Sequence, residues 1–160
     1  EQERERFCQV LHHSRTSLYR LAFSITRNSS DAQEAVAEAV CRAYERYPQL
    51  REKEKLPRWL LKITANEARR LCQRRGRTVS LDDLPTEPAI PGRETGDDTL
   101  WQAVQTLPQD QREAVVLFYY EDLPTEEIAR IVGTSPGAVR VRLSRAREKL
   151  RSILKEGDYG

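Results

Sequence analysis

The sequence predicts an all-α protein built from two small helical domains. Apolar residues recur at helical spacing through both halves of the 160-residue chain. Between the halves, residues 78–95 are acidic, rich in proline and glycine, and almost free of periodicity, as an extended linker is. Near the C-terminus, two helical patterns flank a tight turn. We expect a first domain at 1–76, a flexible acidic linker at 77–96 and a second domain at 97–156.

Three helices are expected in the first domain. The first carries an apolar stripe from Phe7 to Ile25, with an interruption near 14–16. The second starts at Ser30, which pairs with Gln33 in the pattern of a capping box, and ends at Pro48.

The third helix runs from about Pro57 to Arg75 and ends at Gly76, after a polar, charge-rich loop over Gln49–Lys55. Three cations and an amide share its outer face: Arg58, Lys62, Asn66 and Arg69. Such a face can follow a phosphate backbone and touch bases, or it can simply be a solvated surface.

The second helix carries an acidic outer stripe. Glu34, Glu38 and Glu45 align there, with Arg42 beside them. This stripe is most simply a solvated face, but it could also dock on a basic partner surface.

Four helices are expected in the second domain, and the last two form a helix-turn-helix. Ile128, Ala129 and Ile131 belong to a short apolar helix, and Gly133 can turn the chain with positive φ. Ser135 is a suitable N-cap and precedes a proline, so a new helix should start at once.

The two faces of the last helix differ in chemistry. Val139, Leu143, Ala146 and Leu150 form the expected buried stripe. The opposite, small-residue face could enter a major groove, where arginines reach guanine edges or phosphates. Its members are Gly137, Val141, Ser144 and Glu148, flanked by Arg140 and Arg145. The alternative is a basic surface helix that only maintains solubility.

Composition excludes several classes of function. The net charge of +2 hides segregation, because 51–80 is basic, 81–100 is acidic and the C-terminal helix is basic again. The three cysteines form no CxxC pair, and His12 and His13 lack partners at ligand spacing. We expect reduced thiols in the cytoplasm, no metal, no cofactor, no catalytic residues and no membrane insertion.

These blocks together resemble bacterial RNA polymerase sigma factors of the extracytoplasmic-function group in the sigma-70 family. The resemblance rests on 18–47 and 57–70 in the first domain and on 107–151 in the second, where helix, turn and the SRAR tail match in register. It implies an all-α protein with domains like sigma regions 2 and 4. It also implies a promoter-specificity subunit that binds core polymerase and directs initiation, and not an enzyme.

Residue roles follow from this resemblance by position. Ser135, Gly137, Arg140, Val141, Ser144 and Arg145 would read the −35 promoter element. Arg58, Lys62, Asn66 and Arg69 would contact the −10 element, and the Gln49–Lys55 loop would hold a flipped base. Glu34, Glu38, Arg42 and Glu45 would bind the polymerase clamp. In that clamp-binding helix, Ala37 and Val40 replace the glutamine and the aromatic residue usual in the family.

The expected partners are core RNA polymerase, promoter DNA and an anti-sigma factor, and we expect a monomer when the protein is free. The competing function is a helix-turn-helix repressor or activator that binds an operator as a homodimer. That function needs a dimerisation surface, whereas the first domain offers a second basic face.

Overall fold

The computed structural model describes residues 2–76 and 98–157, which are helical and contain no strand. The chain divides into two compact units, Glu1–Ile90 and Pro91–Gly160. The predicted all-α class with two helical domains is therefore confirmed. The predicted acidic linker at 77–96 lies outside the described residues, and the exact domain boundaries stay predictions.

Three helices pack against one another in the N-terminal unit. They are α1 (Gln2–Thr26), α2 (Ser29–Arg46) and α3 (Leu56–Arg75). Their shared core combines large side chains with alanines that let the helices approach closely. It includes Phe7, Leu18, Leu21, Phe23, Ala35, Ala39, Ala43, Leu56, Leu60 and Leu71.

Two local expectations in this unit are wrong. α1 runs without interruption through 14–16. α2 starts at Ser29 and is capped by Asn28, whose side-chain oxygen accepts a hydrogen bond from the Asp31 N–H at 2.9 Å. The Asp31 N–H has no acceptor within the helix, and Asn28 provides one. The Ser30–Gln33 capping box therefore does not form.

The segment between α2 and α3 is more ordered than the predicted loop. It contains two 3₁₀ turns, Tyr47–Gln49 and Lys53–Lys55. The Lys53 ammonium group donates to the Tyr47 carbonyl and lies 4.1 Å from the centre of the Tyr47 ring. These contacts fix the segment to the end of α2, and Gly76, with φ of 55°, ends α3 as predicted.

The C-terminal unit contains the four predicted helices. They are α4 (Asp98–Gln105), α5 (Gln109–Val115), α6 (Thr125–Val132) and α7 (Pro136–Gly157), with α7 packed on the other three. Sequence periodicity did not predict the π-helical turn at Val116–Tyr120 that extends α5. This turn buries Val116 and Leu117 and leaves Tyr119 exposed.

Candidate nucleic-acid interface

The turn between α6 and α7 has the geometry that its residues predict. Gly133 adopts φ of 79°, and the N–H groups of Gly133 and Thr134 both donate to the Ala129 carbonyl at the end of α6. The Ser135 hydroxyl accepts a hydrogen bond from the Ala138 N–H at 3.1 Å, so Ser135 is the N-cap of α7. The turn thereby fixes the direction in which α7 leaves α6.

α7 separates its two faces as predicted. Val139, Leu143, Ala146 and Leu150 are buried. The opposite face is open to solvent, and the exposed fraction of Val141 is 47%. That face presents the whole predicted DNA-reading set: Ser135, Gly137, Arg140, Val141, Ser144 and Arg145. Their contact with the −35 element stays a prediction.

Four of the five arginines of α7 fall into two groups. Arg142 lies 3.8 Å from the Asp110 carboxylate, and Arg147 donates to the Tyr119 hydroxyl at 3.3 Å. Arg140 and Arg145 have no ion-pair partner among the described residues. The first group braces α7 against its own unit, while the second is available to an outside anion.

Gly137 is not required by the backbone of the helix. Its φ is not positive, and a Cβ built there would meet only the Arg140 and Ser135 side chains, each at 3.9 Å. Glycine in a helix is less stable than alanine, so the fold gives no reason for it here. A reason for glycine that remains is the close approach of another molecule to the α7 backbone at this position.

The outer face of α3 is also accessible. Arg58, Lys62 and Asn66 are exposed, and Arg69 is partly buried. Arg69 donates to the Asn66 side-chain oxygen at 3.4 Å, which orients the two side chains on one edge of the face. The structure thus places all four predicted residues on one surface, and their contact with the −10 element stays a prediction.

The acidic stripe on α2 is exposed but partly neutralised. Glu34 pairs with Arg75 at 2.8 Å and Glu38 with Arg42 at 3.4 Å, whereas Glu45 has no ion-pair partner among the described residues. Arg42 also turns inward, with its Nε 2.8 Å from an oxygen of Glu67. Polymerase binding by this stripe stays a prediction.

Sequence reasoning missed two buried carboxylates in this unit. Asp31 is buried and pairs with Arg75, and Glu67 is buried and accepts a hydrogen bond from Arg70 at 3.0 Å. A signal for Glu67 was present, because it follows Thr64 by three positions and precedes Leu71 by four, on the inner face of α3. A charge at such a position predicts a buried ion pair.

Comparison with known proteins assigns both units to one family. The family model described as "Sigma-70 region 2" matches 10–78, and the model described as "Sigma-70, region 4" matches 97–150. The chain belongs to the sigma-70 family. It is a member of the extracytoplasmic-function group.

Two curated sigma factors resemble this chain over most of its length. RNA polymerase sigma factor SigV of Bacillus subtilis (strain 168) is 32% identical over 88% of this chain and 86% of its own length. ECF RNA polymerase sigma factor EcfG of Rhodopseudomonas palustris (strain TIE-1) is 32% identical over 86% of this chain and 79% of its own length.

Solved structures agree on the fold. The sigma factor RpoE from Bartonella quintana, solved in complex with the anti-sigma factor NepR, has a TM-score of 0.76 and 26% identity, covering 93% of this chain and 96% of its own. CnrH, solved with the cytosolic domain of CnrY, has a TM-score of 0.65 at 23% identity, covering 94% of this chain and 88% of its own, and supports the fold alone.

This sigma factor is therefore a promoter-specificity subunit of RNA polymerase. The α3 face lies within the match to region 2, and the helix-turn-helix lies within the match to region 4. The homodimeric repressor is not favoured. Among the described residues, no helix combines the length and apolar content needed to cross a membrane.

Proposed function

We propose that this sigma factor recognises promoters through two separate surfaces, α7 at the −35 element and the α3 face at the −10 element, while the acidic stripe on α2 binds core polymerase. The observation that carries this proposal is the pair of exposed arginine-bearing faces, one in each unit. The protein supplies recognition, and the polymerase supplies the chemistry in the cytoplasm.

At the −35 element, Arg140 and Arg145 are the proposed base or phosphate contacts. Both are exposed and lack an acidic partner among the described residues, so DNA would displace no ion pair that these residues make. Gly137, Val141 and Ser144 keep the face between them narrow enough for a major groove. Ser135 acts at the entrance by capping the helix.

At the −10 element, Arg58, Lys62 and Arg69 would neutralise phosphates, and Asn66 would touch a base. The Gln49–Lys55 segment would hold a base flipped out of the stack. Its two 3₁₀ turns and the Lys53 contacts with Tyr47 give it a defined shape before DNA arrives, which lowers the entropic cost of capture.

On the polymerase side, Glu34, Glu38 and Glu45 form the proposed contact stripe, with Arg42 at its edge. A basic clamp surface would replace the arginine partners of Glu34 and Glu38, and it would pair with Glu45, which has no ion-pair partner among the described residues. We also propose that an anti-sigma factor competes for these surfaces, and that the free protein is a monomer.

In vitro transcription with purified core polymerase tests the proposal. Genomic fragments would be transcribed with core alone and with core plus the protein, and the 5′ ends of the transcripts mapped. We expect new, reproducible start sites that share two sequence elements upstream. Transcripts identical to those from core alone would refute it.

A second measurement separates this function from the operator-binding alternative. Sedimentation should show a monomer when the protein is free. With core polymerase it should show a complex that contains one copy of the protein per polymerase. A stable free homodimer that binds palindromic DNA without polymerase would favour the repressor instead.

A further inference from the structure

Glu67 lies at the contact between α2 and α3 and is 6% exposed. One of its oxygens meets two guanidinium groups, Arg42 Nε of α2 at 2.8 Å and Arg70 Nη1 of α3 at 3.0 Å. Only the Arg70 contact is a hydrogen bond, since the Arg42 Nε–H does not point at an acceptor. The Arg42 contact is therefore an attraction between charges across the two helices.

This triad lies in a polar cleft of about 160 Å³ whose walls are α2 and α3. The cleft also contains Glu34 and Glu38 of the acidic stripe, and Arg74. Arg42 joins the stripe to the triad, because its Nε is within 3.4 Å of Glu38 as well as near Glu67. The carboxylate of Glu67 is thus connected to the proposed polymerase-binding surface through one side chain.

The same carboxylate is also close, along α3, to the proposed DNA-binding face. Glu67 and Arg70 pair at a spacing of three residues, and Asn66 and Arg69, one position earlier on the helix, pair at the same spacing. Rotation or sliding of α3 against α2 would move Asn66 and Arg69 relative to the acidic stripe. It would also separate Glu67 from Arg42.

We infer that Glu67 is a positioning residue that fixes the register of α3 against α2, so that polymerase docking on α2 places the α3 face correctly on promoter DNA. This inference rests on the proposed function and adds a residue that contacts neither polymerase nor DNA. The apolar core of the unit holds the helices together, and the triad fixes their register together with the pairs that Arg75 makes with Asp31 and Glu34. Close charge contacts suit this role, because the attraction between opposite charges is stronger where water is partly excluded, so separating Glu67 from Arg42 costs more than it would at a fully exposed surface.

The triad can be altered without leaving a cation sealed from water. The Arg42 and Arg70 side chains are 35% and 52% exposed, so both side chains keep contact with solvent when the Glu67 charge is removed, although Arg42 Nε itself is buried. Glu67→Gln keeps the size of the side chain and is expected to fold. Glu67→Asp keeps the charge but withdraws the carboxylate by one methylene, so it cannot reach both guanidinium groups at once.

The test uses the full chain, core polymerase and the strongest promoter found by the genomic transcription experiment. Affinity for core is measured by fluorescence anisotropy of labelled protein, and promoter opening by 2-aminopurine fluorescence with core saturated. The control is Glu3→Gln, which makes the same chemical change at an exposed position of α1.

We expect Glu67→Gln to keep its affinity for core within threefold and to open the promoter about tenfold less, the size of a typical coupling between contacting residues. Glu67→Asp should fall between wild type and Glu67→Gln, and Glu3→Gln should match wild type. If Glu67→Gln does not fold, the affinity for core and the promoter opening of Glu67→Asp are compared with those of wild type instead.

Two results would overturn the inference. One is wild-type opening by a folded Glu67→Gln or, if that variant does not fold, by Glu67→Asp. The other is a parallel loss of core affinity and opening in proportion to the folded fraction, which marks a purely structural role. Failure of wild-type protein to direct any start site is a different result, and it would reject the proposed function instead.

Discussion

Gly137→Ala should make the C-terminal unit more stable and the sigma factor less active. The added methyl group meets no atom closer than 3.9 Å, and the backbone there has no positive φ. Alanine is favoured over glycine in a helix by about 0.5–1 kcal/mol. Because Gly137 lies in the first turn of α7, we expect the lower end of that range.

The effect on DNA should have the opposite sign. Gly137 lies on the exposed face with Arg140 and Ser144, so a methyl group there would hold the α7 backbone away from the floor of the groove. Losing one good base contact costs about 1–3 kcal/mol, which corresponds to a factor of about 5 to 150 in promoter binding. The change in stability is too small, and of the wrong sign, to explain such a loss.

Native-state hydrogen exchange of the α6 and α7 amides would measure the stability of this unit without assuming that both units unfold together. Promoter binding would be measured with the polymerase complex. Gly133→Ala is the matched control, because its added methyl group also finds open space but its φ of 79° is unfavourable for alanine. That variant should lose stability. Unchanged promoter binding by Gly137→Ala would refute our reasoning about this face.

Three further predictions concern the two proposed DNA-binding faces. Arg140→Ala and Arg145→Ala should each weaken promoter binding by about 1–3 kcal/mol while affinity for core polymerase stays unchanged; equal use of native and scrambled −35 DNA by wild type would contradict this. Ser135→Ala should lower the stability of α7 by about 1 kcal/mol in hydrogen exchange, because the Ser135 hydroxyl caps the helix. Ser144→Ala, the control, should leave the stability unchanged and reduce promoter binding. Equal exchange rates in the two variants would reject the cap. Lys62→Ala should reduce the slope of log affinity against log salt concentration by about 1 when promoter binding is titrated with the polymerase complex; an unchanged slope would remove Lys62 from the phosphate contacts.

The helices and the faces of α7 could be predicted because they follow from local periodicity. Val139, Leu143, Ala146 and Leu150 repeat at the spacing that places them on one side of any helix, whatever that helix packs against. Gly133 and Ser135 predicted the turn for a similar reason, since each satisfies a backbone requirement that is complete within a few residues.

The cap of α2 shows where local chemistry was not enough. Asn28, Ser29 and Ser30 are all good N-caps, so the sequence alone could not rank them. In the structure, Arg27 takes a positive φ at the corner, and the Ser29 hydroxyl is paired with the Tyr19 hydroxyl of α1 at 2.9 Å. Asn28 is then the residue left in the extended conformation that a cap requires.

The ion pairs between α2 and α3 were beyond sequence reasoning for a related cause. Arg75 reaches Asp31 and Glu34, more than 40 positions earlier, and Arg42 reaches Glu67 on a different helix. Helical periodicity gives the face on which each charge lies but not the rotation of one helix against another. The acidic stripe therefore looked like a free surface, and its internal neutralisation became visible only in three dimensions.

That neutralisation changes how the proposed binding of the stripe to polymerase should depend on salt. A stripe of free carboxylates would bind a basic clamp surface with a steep salt dependence, since every contact would add a new pair of opposite charges. Here Glu34 and Glu38 already have arginine partners, so docking exchanges one set of partners for another and gains less from each charge. Glu45 has no such partner among the described residues, so it should contribute most of the electrostatic attraction to the polymerase.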